Sequence, residues 1–532
     1  MTSSKLRSLC TLIQGAVLVG SLVACNDDAK APHPAQDVNS ASDGDEKTDD
    51  ESDSTSDDPT SASDRGKKEP KLDGGSKAPN VVAPSDAAVV VVTDSSAAPV
   101  SAAPAPPTYA IPVPPAPQPK GDAAKGYKYL VHGPYQTLGL PWNGFKATMS
   151  KLEPRDSIPD REGDNALVSY QFNVVTDPDG VRVAASNCLS CHASHLFGKV
   201  VIGLGHPNMA MLQGQSTGAS FDIPGILLRS SPEEAAAAFT YTSRLLNAVQ
   251  FGAMDVFPVL ASHHDPKTLV WQETPVFDGD TALVGGVDTP PWWRCKKKNG
   301  LYYTGVGRGE QSRHMSFMSV FSVRNAQEGK SIEDNFVDVE AYIHSLVPPT
   351  YPGKIDQALA TAGKAVFLKT CATCHGTYGD TDEQDTYPNL VIRHDDVGTD
   401  PSLATDNWVN QATVDWFKDS FYAGENRQSW MEQLPGYYAP PLDGVWATAP
   451  FFHNGSVPTL DGVIDPKKRP TNWSSAMGDA DYDLDRLGWK FNVNGVPGFD
   501  TTTPGNSNKG HVYGASLSET DQKALLEYLK TL

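Results

Sequence analysis

No aromatic residue occurs before Tyr109, and no stretch after the first 25 residues approaches the ~20 apolar residues of a membrane span. Basic residues are short as well. The chain has 43 Lys and Arg against 64 Asp and Glu, a formal net charge of −21, which leaves no basic face for nucleic acid. Much of that acidity is local, because residues 26–120 hold 17 Asp/Glu and 8 Lys/Arg. Cysteine is scarce, at seven in 532 residues. Cys10 lies in an N-terminal leader, Cys25 ends it, and four cysteines stand in two Cys-x-x-Cys-His strings. That leaves Cys295 alone, so no disulfide framework can be built.

What is present begins with the leader. Lys5 and Arg7 give a positive start, Leu12 to Leu22 a short apolar core, and Leu22-Val23-Ala24-Cys25 a small-residue cleavage site. The cysteine after Leu-Val-Ala resembles the bacterial lipoprotein box, with an ordinary secretory signal as the alternative. Either way the chain is expected to be exported, to the periplasm or the cell surface, and the lipoprotein reading puts a lipid at Cys25 as its membrane anchor. Residues 26–120, first Asp/Ser/Thr-rich and then Ala/Pro/Val-rich, cannot bury enough surface to offset their ordering entropy. They are expected to be a disordered tether.

From residue 121 the sequence is expected to be mainly α-helical, as two tandem cytochrome c-like domains with long loop insertions, 121–350 and 351–532. Each half has a Cys-x-x-Cys-His, a long variable region and a closing amphipathic helix. The first closing helix is read as starting at Ser331-Ile332-Glu333-Asp334 and stopping before Pro348. The second starts at Ser518-Glu519-Thr520-Asp521. Both openings are Ser-x-x-Asp capping boxes. The two motifs lie 183 residues apart. A third helix, Ile355 to Thr370, runs directly into Cys371.

The strings Cys188-Leu189-Ser190-Cys191-His192 and Cys371-Ala372-Thr373-Cys374-His375 carry the chemistry. Two thiols at this spacing take the two vinyl groups of a haem, and the adjacent histidine binds its iron. Given this composition, chance would supply roughly 0.002 such strings. A zinc site built from four cysteines is the structural alternative, but its cysteine pairs lie ~15–20 residues apart. Two covalently bound c-type haems are therefore expected. A second strong ligand opposite the histidine makes an electron-transfer haem, and a vacant face admits O2 or peroxide. For the second haem His453, His511, Met431 and Met477 are candidates. For the first they are His263, His264, His314, Met315 and Met318, with His195 too near His192 to reach the opposite face. Composition does not choose among them. His511, in a Gly/Asn-rich loop just before the closing helix, has no counterpart in the first half.

The string from Tyr438-Ala439-Pro440-Pro441-Leu442 through Ala449-Pro450-Phe451-Phe452-His453-Asn454-Gly455 to Leu460 resembles the dihaem cytochrome c peroxidase superfamily. Within it, the two wide-spaced motifs and the late Gly505-to-His511 loop are most similar to the rubber oxygenase branch. The resemblance covers roughly 121–532. It implies that His192 is the proximal ligand of an active-site haem open to O2 or peroxide, and that His375 and His511 close the second haem from both sides. It further implies that His453 lies near a haem propionate and that Trp292 or Trp293 stands between the haems, plain packing being the alternative for that pair. The function so implied is a dihaem oxidoreductase working with a redox partner or a small oxidant. The other readings are a pure electron-transfer cytochrome and an extracellular dioxygenase cleaving a hydrophobic polymer such as polyisoprene.

Overall fold

The computed structural model describes residues 107–532 apart from 150–151, 208–222, 250–255, 280–284, 406–408, 479–480 and 496–497. The leader, Cys25 and most of the expected tether lie outside the described residues.

Two helix pairs organise the body. Helix α1 (Ala123–His132) is capped by Asp122, whose carboxylate accepts from the Ala124 and Lys125 amides. It lies against α2 (Ala326–Ser345), and Gly126 makes the approach possible: a Cβ there would stand 1.9 Å from the Asp338 carbonyl oxygen. Helix α3 (Gln357–Thr370), capped by Asp356, crosses α4 (Glu519–Leu529) in the same manner, with Gly363 1.9 Å from the Ala524 carbonyl by the same measure. Four residues beyond each glycine stands a fully buried apolar side chain, Leu130 and Phe367. The halves therefore share more than their motifs, and α1 is the counterpart of α3.

The Ser518 cap forms as expected, its hydroxyl accepting from the Asp521 amide at 3.1 Å. The Ser331 cap does not. That serine lies inside α2, whose cap is Asn325, six residues earlier, with a side chain that accepts from the Glu328 amide.

Small sheets fill the insertions. Strands β2 (Phe172–Thr176) and β3 (Arg182–Ser186) pair antiparallel with Val174 opposite Ala184, and β3 runs into the first motif. A second sheet has the order β1 (Ala110–Pro112), β4 (Leu390–Arg393), β5 (Gly436–Tyr438). Its first strand corrects the expected tether. Residues 107–120 pack on the body: Ala110 pairs with Ile392, Val113 is buried, and the Val113 amide donates to the Asn389 carbonyl at 2.8 Å. The run Ile111-Pro112-Val113 is apolar enough to be an edge strand, and its Pro112 stands where an edge tolerates proline.

The described body is mainly helical, without a barrel, and no helix in it is long and apolar enough to cross a membrane. The boundary expected at 350 divides the helix pairs but not the packing. Leu260, Leu269 and Phe317 form one core with Trp416, Phe417 and Tyr422, and the described residues of both halves fall in one compact unit.

Candidate functional site

The second motif is presented by α3. Its last turn passes into the short turn Ala372–His375, with the Cys371 amide still bonded to the Phe367 carbonyl at 2.8 Å. The half-buried His375 ring is oriented by Nδ1, which lies 2.8 Å from the Pro440 carbonyl oxygen. A carbonyl can only accept, so Nδ1 carries the proton and Nε2 keeps its lone pair for a metal. Burial lowers the pKa of His375, and the Arg294 charge adds to that.

Facing it is His511, with ring centroids 6.2 Å apart. Imidazole nitrogens ~2 Å from one shared metal put two ring centres at about this separation. His511 is pushed down to about 3, by burial first and then by His375 and Arg469, and its buried Nδ1 has no hydrogen-bond partner. Two neutral imidazoles at this spacing beside two thiols, Cys371 and Cys374, that no disulfide takes up fit a haem iron between them.

The first motif hangs from the β2–β3 sheet and α1. Asn187 donates to the Tyr170 carbonyl and the Asn173 side chain, and accepts from the Leu189 amide that opens the motif's turn. Asn173 donates to the Leu130 carbonyl of α1 and to that of Gly133, which follows its last residue. Cys188 lies in the same apolar cluster as Leu130, Phe336 and Ile343. His192 is stacked on Trp292, centroids 4.6 Å apart at 20°. Its Nδ1 is buried without a partner. Burial pushes His192 down to about 4, with the Pro290 backbone opposing as a hydrogen-bond partner. A proline backbone thus attends each motif histidine. Unpaired thiols and a neutral imidazole with one unbonded ring nitrogen fit a second haem here.

Trp292 and Trp293 open one 3₁₀ turn, Trp292–Lys297, and face different ways. Trp292 packs in the cluster of Cys188. Trp293, fully buried, joins the cluster of Phe367, Ala372 and Cys371, and its Nε1 donates to the Asp443 carbonyl at 2.8 Å. Adjacent residues therefore touch both motif clusters.

The other candidates fall elsewhere. His453 is stacked on Tyr437, centroids 4.1 Å apart, with Tyr303 edge-on beyond. His263 stacks on Trp271, and the His264 nitrogens lie 2.7 and 3.3 Å from the Leu260 and Val323 carbonyls. His314 stacks on Phe417 with Nε2 at the Arg308 carbonyl. His195 pairs with Asp156. Met431 sits in the core shared by the two halves, and Met477 in the cluster of Trp293. Met318 opens a 3₁₀ turn after the His314 helix. Only Met315 packs against the cluster of Cys188.

Sequence reading missed Arg294 and Arg469. Arg294 is buried, donates to the Asp443 carbonyl and the Thr448 hydroxyl, and lies near enough to His375 to shift it. The Asp443 carboxylate is taken by Lys297, which also meets Asp385, so lysine ammonium fills the acidic cluster Asp382, Asp385 and Asp443. A buried guanidinium of this kind suits a carboxylate such as a haem propionate. Its one sequence signal is its place directly after the tryptophan pair.

Residues 436–474 match the model of a family described as RoxA-like, cytochrome c-like. This stretch holds Pro440, which orients His375, and Asn454 and Ser456, which donate to the Ser507 carbonyl of the loop carrying His511. It supports a haem-linked redox role in general terms. Two proteins of Sinorhizobium fredii are similar to the chain. Uncharacterized protein y4iJ is 32% identical over 40% of this chain and 45% of its own length. Uncharacterized protein y4iM is 29% identical over 36% and 53%. The chain spans about half the length of these curated relatives.

Proposed function

We propose that the chain is an exported dihaem c-type oxidoreductase whose two haems have different tasks. The observation that carries this reading is the asymmetry of the motif histidines. His375 is answered by His511 across 6.2 Å, whereas the ring stacked on His192 is that of Trp292. When bound, the haems supply one-electron chemistry and, at an open face, activation of O2 or peroxide. The chain's own part is to hold and tune them. Cys188 and Cys191 with His192, and Cys371 and Cys374 with His375, provide two attachment sites. Pro440 fixes the tautomer of His375, His511 closes the second site, and Arg294 offers a charge to a propionate. The Trp292–Trp293 pair, in contact with both clusters, provides the route between sites. A redox partner or small oxidant, and anchoring of the exported protein through a lipid on Cys25, complete the proposal. The leader sequence supports export and anchoring.

A second reading, an extracellular dioxygenase cleaving a hydrophobic polymer such as polyisoprene, is favoured by the likeness of the two wide-spaced motifs and the Gly505-to-His511 loop to the rubber oxygenase branch. One experiment tests the common core. The pyridine haemochrome should count two haems per chain, and one after Cys371→Ala with Cys374→Ala. Carbon monoxide or cyanide should bind at one haem only. Binding at neither means both faces are closed, and the protein is then an electron carrier. Turnover of polyisoprene with O2, against oxidation of a reduced cytochrome with peroxide, separates the two enzymatic readings.

A further inference from the structure

His511 occupies a backbone conformation that is uncommon for any residue other than glycine. Its φ is +44°, and it follows Gly510 at φ +78°. Something outside the loop must impose this geometry. Part of the answer is close backbone contact: a Cβ on Gly510 would lie 2.1 Å from the Gly398 carbonyl carbon, and the His511 amide donates to the Val397 carbonyl at 2.6 Å.

The rest comes from one side chain. Arg469 Nη1 donates to the Asn508 and Gly510 carbonyls at 2.6 and 2.7 Å, and Nη2 to the His511 carbonyl at 3.1 Å. Its remaining bonds go from Nε to the Gly462 carbonyl at 2.8 Å and from Nη2 to Val463 at 3.2 Å. A guanidinium has five N–H groups in a planar fork, and all five are used here on backbone carbonyls. Three belong to the histidine loop and two to the helix Leu460–Ile464. The guanidinium also lies over the Phe452 ring at 5.0 Å, and that ring stands 6.0 Å from His511.

We propose that Arg469 is a positioning residue that holds His511 within reach of the iron of the second haem, by clamping residues 508–511 to the helix Leu460–Ile464. The inference rests on the reading of His375 and His511 as the two axial ligands. It assigns Arg469 a structural fork rather than a charge. Lysine keeps the charge but has three donors and no plane, so it cannot reproduce the clamp.

The test uses the full-length holoprotein, in three variants: Arg469→Lys, Arg469→Gln and His511→Ala. Haem content is checked first, so that loss of attachment is not mistaken for loss of a ligand. Both Arg469 variants should then develop a high-spin fraction at the second haem and bind carbon monoxide there. Added imidazole should return them to the low-spin spectrum, as it should His511→Ala. If His511→Ala goes high-spin while Arg469→Lys and Arg469→Gln keep the parent spectrum, the clamp is wrong and the ligand assignment stands. If His511→Ala leaves the spectrum unchanged, the ligand assignment fails and the clamp falls with it. Should Arg469→Gln not fold, Arg469→Lys alone decides, since it keeps the stem and the charge.

Discussion

Replacing Gly363 by alanine sets two effects of known size against each other. In an isolated helix the change is favourable by about 1 kcal/mol, because alanine leaves less backbone freedom to lose. In α3 the new methyl would stand 1.9 Å from the Ala524 carbonyl oxygen of α4, where carbon and oxygen ordinarily keep ~3.3 Å or more. Relief requires the helices to part by more than about 1 Å. A gap of that size forfeits roughly a quarter to a half of the dispersion energy of the atoms facing it. Those atoms include the rings of Phe367 and Tyr528, whose centroids are 5.2 Å apart. Overpacking destabilises by ~1–3 kcal/mol, and against a backbone carbonyl that cannot swing aside the upper part of that range, about 2–3 kcal/mol, applies, so the net after the helix gain is expected to be about 1–2 kcal/mol unfavourable. Urea unfolding followed in the haem absorption band should show it, with Thr361→Ala on the exposed side of the same helix as a near-neutral control. Gly126→Ala, facing Asp338 at the same distance, should behave alike. A Gly363→Ala protein as stable as the parent or more so would show that the two helices are not locked by backbone contact.

Other outcomes follow from features already described. A chain beginning at residue 107 behind a plain secretory signal should keep the parent melting midpoint, whereas one beginning at residue 121 should lose several degrees, because it lacks β1 and the buried Val113, worth ~1.5–3 kcal/mol by burial alone. His511→Ala should raise the potential of the second haem, read by redox titration, since an imidazole's electron donation is removed. Glu340 is pushed up to about 7 from 4.5, chiefly by burial, with Ser312 opposing. The folded chain therefore binds more protons than the unfolded chain across that window, and stability falls as pH rises through it. Glu340→Gln should then be the more stable protein at pH 8, by at most about 3 kcal/mol, and should lose its advantage near pH 4.5. A constant difference across the two pH values would locate the effect outside the carboxyl.

The parts legible in the sequence were those with local causes. The motifs, α3 running into Cys371, and α4 behind Ser518 depend on neighbours a few residues away. Misreadings occurred where a rival signal stood close by. Asn325-Ala326-Gln327-Glu328 is itself an N-terminal signal, since Asn325 accepts from the Glu328 amide and Glu328 from Arg324, so Ser331 was one of two starts and the wrong one. Helix α1 went unseen because a sheet separates it from its motif, leaving no continuous run such as α3 provides. The partner of β1 lies some 280 residues along the chain, beyond any pattern in the apolar run itself. Arg469 left no trace for a different reason: its five acceptors are backbone carbonyls, which every residue has.

The tryptophan pair has a consequence for how the chain can vary. In a 3₁₀ turn successive side chains point ~120° apart, which is how neighbours in sequence reach separate cores. Contact with both motif clusters is thereby set by angular phase along a single turn. Inserting one residue after Trp292 would swing Trp293 by about a third of a revolution, out of the cluster it shares with Phe367, while leaving His192 and Trp292 in register. This turn has a fixed reading frame.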